Sequence, residues 1–190
     1  MDIIERAVSV LMQDGLIVYP TDTLYGLGAD AFSEEAIVKV YEAKKRDLAK
    51  PISIMVSDFE MLAAVSRIDP RMEVFIRRFL PGPVTVVVPA RKTIPGILTG
   101  GTGLIGIRIP AHDIARQIIE RFDAPLTATS ANLSGGKDPQ TPDECTAPHD
   151  LLIDGGRLPG TPSTVVDLIT KTIIRRGANA DIIEEFLRSC

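Results

Sequence analysis

Short apolar segments alternate irregularly with amphipathic segments along the chain, and this order constrains the fold more than any other feature. Five segments have the length and apolar character of buried strands: 16–19, 52–56, 84–88, 104–109 and 126–129. Shorter strands are predicted near 151–154, 163–168 and 172–176. Because a strict strand–helix–strand order is lost near the C-terminal end, the pattern predicts an α/β fold with a mixed parallel and antiparallel sheet.

Helical periodicity occupies the intervals between these strands. Apolar residues at helical spacing predict a helix over 3–11, a second that follows an N-cap at Ser33, and others over 59–65, 72–80, 114–122 and 182–187. The segment 20–28, Pro-Thr-Asp-Thr-Leu-Tyr-Gly-Leu-Gly, is so rich in Thr, Asp and Gly that we expect it to be irregular. No repeat or linker divides the 190 residues, so we expect one domain, 1–190.

The few histidines and cysteines exclude several classes of site. His112 and His149 are the two histidines, and Cys145 and Cys190 the two cysteines, which is too few for a disulfide framework, a four-thiolate zinc site or most metal-hydrolase centres. No apolar run approaches the roughly 20 residues that span a bilayer, and the N-terminus lacks a signal-peptide pattern. We therefore expect a cytoplasmic protein with no membrane partner. A net charge of −4 argues against a broad nucleic-acid-binding face.

A cationic run follows the second predicted helix. Lys44 continues the apolar face formed by Ile37, Val40 and Tyr41. A lysine there either extends its ammonium to solvent or directs it into a cleft, and the position alone favours the first. The run 44–50 holds four cations and one acid. It fits either a solvated helix end or, in an acidic chain, a polyanion site.

Two polar segments lie at the ends of predicted strands. Ser130-Ala131-Asn132 directly follows a strand, a common ligand position in α/β sheets, although the local pattern fits an ordinary turn better. Ser163 and Thr164 begin another strand, where β-propensity alone explains them. The glycine-rich phosphate-binding motifs are absent. An ATP site in this chain would therefore use cationic side chains and loop amides.

Six segments in order resemble the YrdC-type threonylcarbamoyl-adenylate synthase family: 20–28, 43–46, 81–85, 107–112, 130–135 and 163–167. The resemblance covers nearly the whole chain and implies the short, single-domain form. It implies a twisted mixed sheet with flanking helices around a large concave basic cavity. It also implies a nucleotidyltransferase that forms threonylcarbamoyl-AMP and pyrophosphate from L-threonine, bicarbonate and ATP, for tRNA modification.

The same resemblance implies specific site residues. The family pairs a Lys-x-Arg with a Ser-x-Asn, and the corresponding catalytic residues here are Lys44, Arg46, Ser130 and Asn132. The residues implied for L-threonine are Thr23, Arg108, Ser130 and Ser163. Those implied for ATP are Arg46, Lys50, Asn132, Thr141 and Arg175. Mg2+ is expected to ride on the triphosphate rather than in a protein cage.

The chain also departs from the family pattern. Many relatives have Pro where this chain has Asp47, Asn where it has Lys50, and His where it has Met55. The last difference leaves the ligand contacts around Met55 open. The segment 50–56 also resembles the homologous domain of hydrogenase-maturation carbamoyltransferases, which adenylates a carbamoyl group. A non-catalytic double-stranded RNA-binding module is a further alternative. As partners, the resemblance implies a downstream threonylcarbamoyl transferase complex and a tRNA or double-stranded RNA contact.

Overall fold

A nine-stranded sheet runs through residues 2–189, the part of the chain that the computed structural model describes. Its strands are β1 (Ile17–Tyr19), β2 (Gly26–Gly28), β3 (Ser53–Met55), β4 (Val84–Pro89), β5 (Leu104–Arg108), β6 (Leu126–Ser130), β7 (Leu151–Leu152), β8 (Thr164–Asp167) and β9 (Thr172–Arg175). They lie in the order β7-β1-β2-β6-β3-β5-β4-β8-β9. The pairs β1–β7, β3–β5 and β4–β8 are parallel and the others antiparallel, which confirms the predicted mixed sheet.

Six helices formed by the described residues flank the sheet, and they confirm the helical intervals predicted from periodicity. They are α1 (Ile3–Leu11), α2 (Glu34–Lys44), α3 (Phe59–Val65), α4 (Pro70–Phe79), α5 (Asp113–Phe122) and α6 (Ala180–Ser189). The Ser33 side chain accepts a hydrogen bond from the Ala36 amide and caps α2 as predicted. None of the helices within 2–189 is long and apolar enough to cross a membrane. Cys190 lies outside the described residues.

The two faces of the sheet bury separate apolar clusters. α1 and α5 pack on one face, where Leu11, Ile118 and Leu126 are buried together. α2, α3, α4 and α6 cover the other face over a larger cluster that includes Tyr41 and Ile54. Neighbouring residues of one strand point to opposite faces, so Ile54 joins the larger cluster and Met55 the smaller one. Both faces of the central strands are therefore covered, and their ends remain available for a site.

Strand β2 corrects the expectation that the whole segment 20–28 is irregular. Gly26–Gly28 pairs with both β1 and β6 and links the two halves of the sheet. Its glycines leave room for the buried ring of Tyr19: a Cβ on Gly28 would lie 2.6 Å from Tyr19 Cε1, and one on Gly26 would lie 3.1 Å from Tyr19 Cζ. Glycine, which suggests a break in the sequence, marks here a close approach of an aromatic ring to a central strand.

We predict that Gly28→Ala destabilises the fold by about 1–3 kcal/mol, because the added methyl group cannot fit against the Tyr19 ring without displacing it. Gly96→Ala is the matched control, since a Cβ at Gly96 meets no atom within 4 Å. The control should change the free energy of unfolding by about 0.5 kcal/mol or less. Urea unfolding measures both, and equal stabilities of the two variants would contradict this account of β2.

Candidate functional site

Polar side chains from distant parts of the chain converge on an open pocket beside the central strands. Its lining includes six of the residues that the family resemblance singles out: Thr23, Arg46, Arg108, Ser130, Ser163 and Arg175. Among the described residues that line it, three are arginines and one, Asp138, is acidic. The pocket therefore combines a positive lining with several hydroxyl groups and suits anionic ligands.

Arg108, the last residue of β5, forms the most enclosed part of this lining. Its Nε donates to the Gly82 carbonyl oxygen at 3.0 Å, its Nη1 donates to Thr23 Oγ1 at 2.8 Å, and its Nη2 forms an ion pair with Asp22. The guanidinium is held from three sides. Burial lowers the pKa of Arg108, and the neighbouring Asp22 carboxylate opposes that shift.

The loop between β1 and β2 is shaped by Thr21. Its hydroxyl donates to the Leu24 carbonyl oxygen at 2.7 Å and accepts from the amides of Thr23 and Leu24 at 3.1 and 3.2 Å. These bonds turn the chain tightly, which directs Thr23 Oγ1 at Arg108 and brings Asp22 to the same guanidinium. The Thr-Asp-Thr sequence is thus a unit: one hydroxyl fixes the turn and the next two side chains fix the arginine.

Lys44 takes neither of the two positions considered from the sequence. Its side chain is buried, and its Nζ donates to the Ser130 carbonyl oxygen, to the Asn132 carbonyl oxygen at 2.6 Å and to Asn132 Oδ1 at 3.1 Å. It lies behind the pocket and fastens the end of α2 to the end of β6. Burial lowers the pKa of Lys44 to about 8; Arg46 lowers it further and Asp138 opposes the shift.

Asn132 joins this arrangement from the loop after β6. Its Oδ1 accepts from Ser130 Oγ at 2.6 Å, and its Nδ2 donates to the carbonyl oxygens of Gly136 and Lys137 at 2.8 and 3.1 Å. Asn132 is buried and orders the loop, while Ser130 reaches the pocket itself. The structure thus brings Lys44, Ser130 and Asn132 together as one hydrogen-bonded group.

Arg46 and Arg175 present their guanidinium groups to the same pocket from different elements. Lys45 ends α2 in a left-handed conformation with φ of 50°, and Arg46 then donates from Nη2 to the Pro51 carbonyl oxygen at 2.9 Å. Arg175, at the end of β9, donates from Nη2 to the Ser163 carbonyl oxygen at 2.9 Å and to Ser163 Oγ at 3.0 Å. Both arginines are therefore oriented by neutral oxygen atoms.

Three residues implied for ATP lie outside the pocket lining: Lys50, Thr141 and Asn132, whose hydrogen bonds are given above. Lys50 is exposed, and its carbonyl oxygen accepts from the Tyr41 hydroxyl at 2.9 Å. Thr141 is half-buried and precedes a short 3-10 helix at Pro142–Glu144. The contacts of these residues with ATP stay predictions. Arg46 and Arg175, by contrast, line the pocket.

The sequence marked Met55 only as a departure from the family pattern, and no signal in it would have selected Tyr19, Asp22 or Asp138. Met55 lies in the lining next to Arg108 in the β3–β5 register, and the buried Tyr19 hydroxyl can donate to Met55 Sδ at 3.3 Å or to the Thr127 carbonyl oxygen at 3.2 Å. Asp22 was visible as the one acid within 20–28 but had no partner until β5 was placed beside it. Asp138 lies in a polar loop, and its sequence context does not distinguish it from a solvent-exposed acid.

Among the described residues 2–189, no group of three or more His, Cys, Asp or Glu side chains is placed to hold a metal ion. The chemistry of the site rests on arginines, hydroxyls, an amide and a buried lysine.

Comparison with known proteins identifies a family over most of the chain. The Sua5/YciO/YrdC family model, described as "Telomere recombination", matches residues 9–177. A threonylcarbamoyl-AMP synthase of Pyrococcus abyssi is 37% identical over 87% of this chain, which spans only 50% of that relative. One of Shigella boydii is 34% identical over 93% of this chain and 96% of its own length.

Solved structures share the same architecture. P. abyssi Sua5 complexed with L-threonine has a TM-score of 0.88 at 36% identity, covering 92% of this chain and 54% of that one. Escherichia coli YciO has a TM-score of 0.84 at 28% identity, covering 92% and 89%. HypF of T. kodakarensis, with a TM-score of 0.79 at 18% identity over 93% of this chain and 24% of its own, is similar in fold alone.

The family model spans the segments that build the pocket, from Thr21 to Arg175. Relatives more than 30% identical cover nearly the whole chain, and one of them matches this chain over almost its full length. Because the family model covers most of the chain and these relatives match it nearly end to end, the chain belongs to the Sua5/YciO/YrdC family.

Proposed function

We propose that this chain is a threonylcarbamoyl-AMP synthase, which joins L-threonine, bicarbonate and the AMP part of ATP and releases pyrophosphate. The observation that carries the proposal is the pocket, where a buried arginine fork and two further arginines face one space. Relatives named threonylcarbamoyl-AMP synthase support it at 33–37% identity. The product would feed a threonylcarbamoyl transferase in tRNA modification.

Arg108 suits the carboxylate of an amino acid. Its bonds to Gly82, Thr23 and Asp22 use three of the five N–H groups of a guanidinium, so one N–H on each terminal nitrogen has no partner among the described residues. A planar pair of donors matches a carboxylate in a bidentate arrangement. Ser163 and Ser130 offer hydroxyls in the same pocket to the rest of the amino acid.

The reaction needs positioning and charge neutralisation more than a nucleophile of the protein. The neutral amine of threonine combines with bicarbonate to give a carbamate and one water, and a carbamate oxygen attacks the α-phosphorus of ATP. The bond between that phosphorus and the bridging oxygen breaks, and pyrophosphate leaves with the electron pair. Arg46 and Arg175 would neutralise the phosphates, and Lys44 and Asn132 hold the loop that carries Ser130.

Mg2+ enters this proposal with the triphosphate of ATP. Asp138 is the carboxylate that lines the pocket in the described chain and would face such an ion, while Mg2+ generally takes few protein ligands when phosphates and waters supply the rest.

The direct test is mass spectrometry of the product formed from ATP, L-threonine and isotopically labelled bicarbonate. We expect one adenylate that contains the label and threonine, and none when threonine is omitted. Product formed from carbamoyl phosphate without threonine would instead support the hydrogenase-maturation type of reaction. RNA binding without any adenylate would support the RNA-binding module.

Ser163→Ala should raise the KM for L-threonine about tenfold and change the KM for ATP by less than about threefold. The reason is that the variant loses the hydroxyl but keeps the carbonyl oxygen that holds Arg175 through Nε and Nη2. Ser66→Ala removes a buried hydroxyl that bonds the Leu62 carbonyl oxygen in a remote part of the fold and should leave both constants unchanged. Equal losses for the two substrates in Ser163→Ala would contradict its assignment to threonine.

Replacement of Lys44 should affect stability as well as turnover. Lys44→Met leaves the acceptors of Ser130 and Asn132 without their donor, which should cost about 1–3 kcal/mol for each buried group. The pKa of Lys44 is about 8 in the folded chain, below its ordinary value of 10.5. The unfolded chain therefore binds more protons between these values, so this group makes the free energy of unfolding rise with pH in that window and fall as pH drops through 8.

Urea unfolding of wild type and Lys44→Met at about pH 7 and about pH 9.5 measures this contribution. The difference in unfolding free energy between the two proteins should grow in favour of wild type at the higher pH. A difference that stays constant would show that Lys44 titrates as it does in the unfolded chain.

A further inference from the structure

The three arginines of the pocket differ in their counterions. Within residues 2–189, Arg108 forms an ion pair with a carboxylate, that of Asp22, whereas the hydrogen bonds of Arg46 and Arg175 go to carbonyl and hydroxyl oxygens. Asp138 acts on Arg175 as a negative charge without forming an ion pair with it. The pocket thus has one compensated guanidinium and two that keep their charge for a ligand.

Burial makes this difference effective. The side chains of Arg108 and Asp22 are only 5% and 13% exposed, so solvent screens their interaction weakly. Together they present almost no net charge to a distant ligand, yet Arg108 keeps one directed N–H on each terminal nitrogen. Such a group binds a single carboxylate by geometry and attracts a polyphosphate much less than a bare arginine does.

We propose that Asp22 is a specificity-determining residue, which balances the charge of Arg108 and so reserves that end of the pocket for the amino-acid carboxylate. Polyphosphate is then drawn to Arg46 and Arg175, whose hydrogen bonds go to carbonyl and hydroxyl oxygens rather than to a carboxylate. This inference rests on the proposed function, because it assumes that the pocket takes an amino acid and a triphosphate together. It assigns a role in substrate sorting to a residue that the substrates need not touch.

Asp22→Asn separates charge from hydrogen bonding. The amide keeps an oxygen in the place of the Oδ1 atom that accepts from Arg108 Nη2, so the guanidinium can stay where Gly82 and Thr23 hold it. The negative charge is lost, and Arg108 becomes a third uncompensated cation. A merely structural role for Asp22 would weaken all ligands alike, whereas loss of charge balance should create a new competition between them.

The experiment is calorimetric titration of L-threonine into the full chain, with and without tripolyphosphate as the probe. In wild type we expect tripolyphosphate to change the threonine Kd by less than about twofold, because the two ligands are held by different arginines. In Asp22→Asn we expect it to weaken threonine binding about tenfold or more, because the polyanion now also occupies Arg108. Glu73→Gln is the control: it breaks the exposed ion pair between Glu73 and Arg77 on α4 and should behave as wild type.

Each outcome decides the question. Competition between tripolyphosphate and threonine in wild type, or its absence in folded Asp22→Asn, would overturn the inference. If Asp22→Asn does not fold, competition in wild type still refutes the inference, and Asp22→Ser, which removes the charge with a smaller polar side chain, takes the place of Asp22→Asn in the comparison. Failure of wild type to bind threonine at all would instead overturn the proposed function, and that result is visible before any tripolyphosphate is added.

Discussion

The site depends on the hydrogen bonds that the buried ammonium of Lys44 donates. Lys44 is the last residue of α2, and its three N–H donors meet three acceptors on Ser130 and Asn132, at the end of β6. A charged group in this position is stable only because every donor has a partner. The bond set therefore fixes the distance between Arg46, which follows α2, and Ser130, which ends β6. Two segments more than eighty residues apart in sequence become one wall of the pocket.

The pocket shows how a chain without a glycine-rich phosphate loop can still present a site for polyanions. Its cations come from the ends of α2, β5 and β9, and each guanidinium is oriented by carbonyl or hydroxyl oxygens before any ligand arrives. Such preorganisation reduces the ordering that binding would otherwise require. The fold supplies this by covering both faces of the central strands, so that polar side chains gather at strand ends.

Periodicity predicted the helices and most strands because burial of one face leaves a repeating pattern, as in α2 from Ile37 to Tyr41. It failed at β2, where Gly26 and Gly28 serve the ring of Tyr19, a contact between separate strands. The family resemblance selected six of the pocket residues but not Asp22, since an ion pair across 86 residues leaves no local trace. The sequence places Lys44 on the buried face of α2. Its hydrogen-bond partners could not be predicted, because they lie in a segment whose sequence indicates only a polar loop.

The hydroxyl of Tyr19 bears on how the pocket wall can vary within the family. Its oxygen donates to Met55 Sδ or to the Thr127 carbonyl oxygen, and both acceptors lie on strands adjacent to the site. A histidine at position 55 would meet the same hydroxyl. A phenol oxygen that keeps its bond to Thr127 can accept from an imidazole N–H as readily as it donates to a thioether. The same tyrosine is thus compatible with either side chain. A thioether at this position of the pocket can therefore be replaced by a titratable imidazole without a change in the strands that carry it.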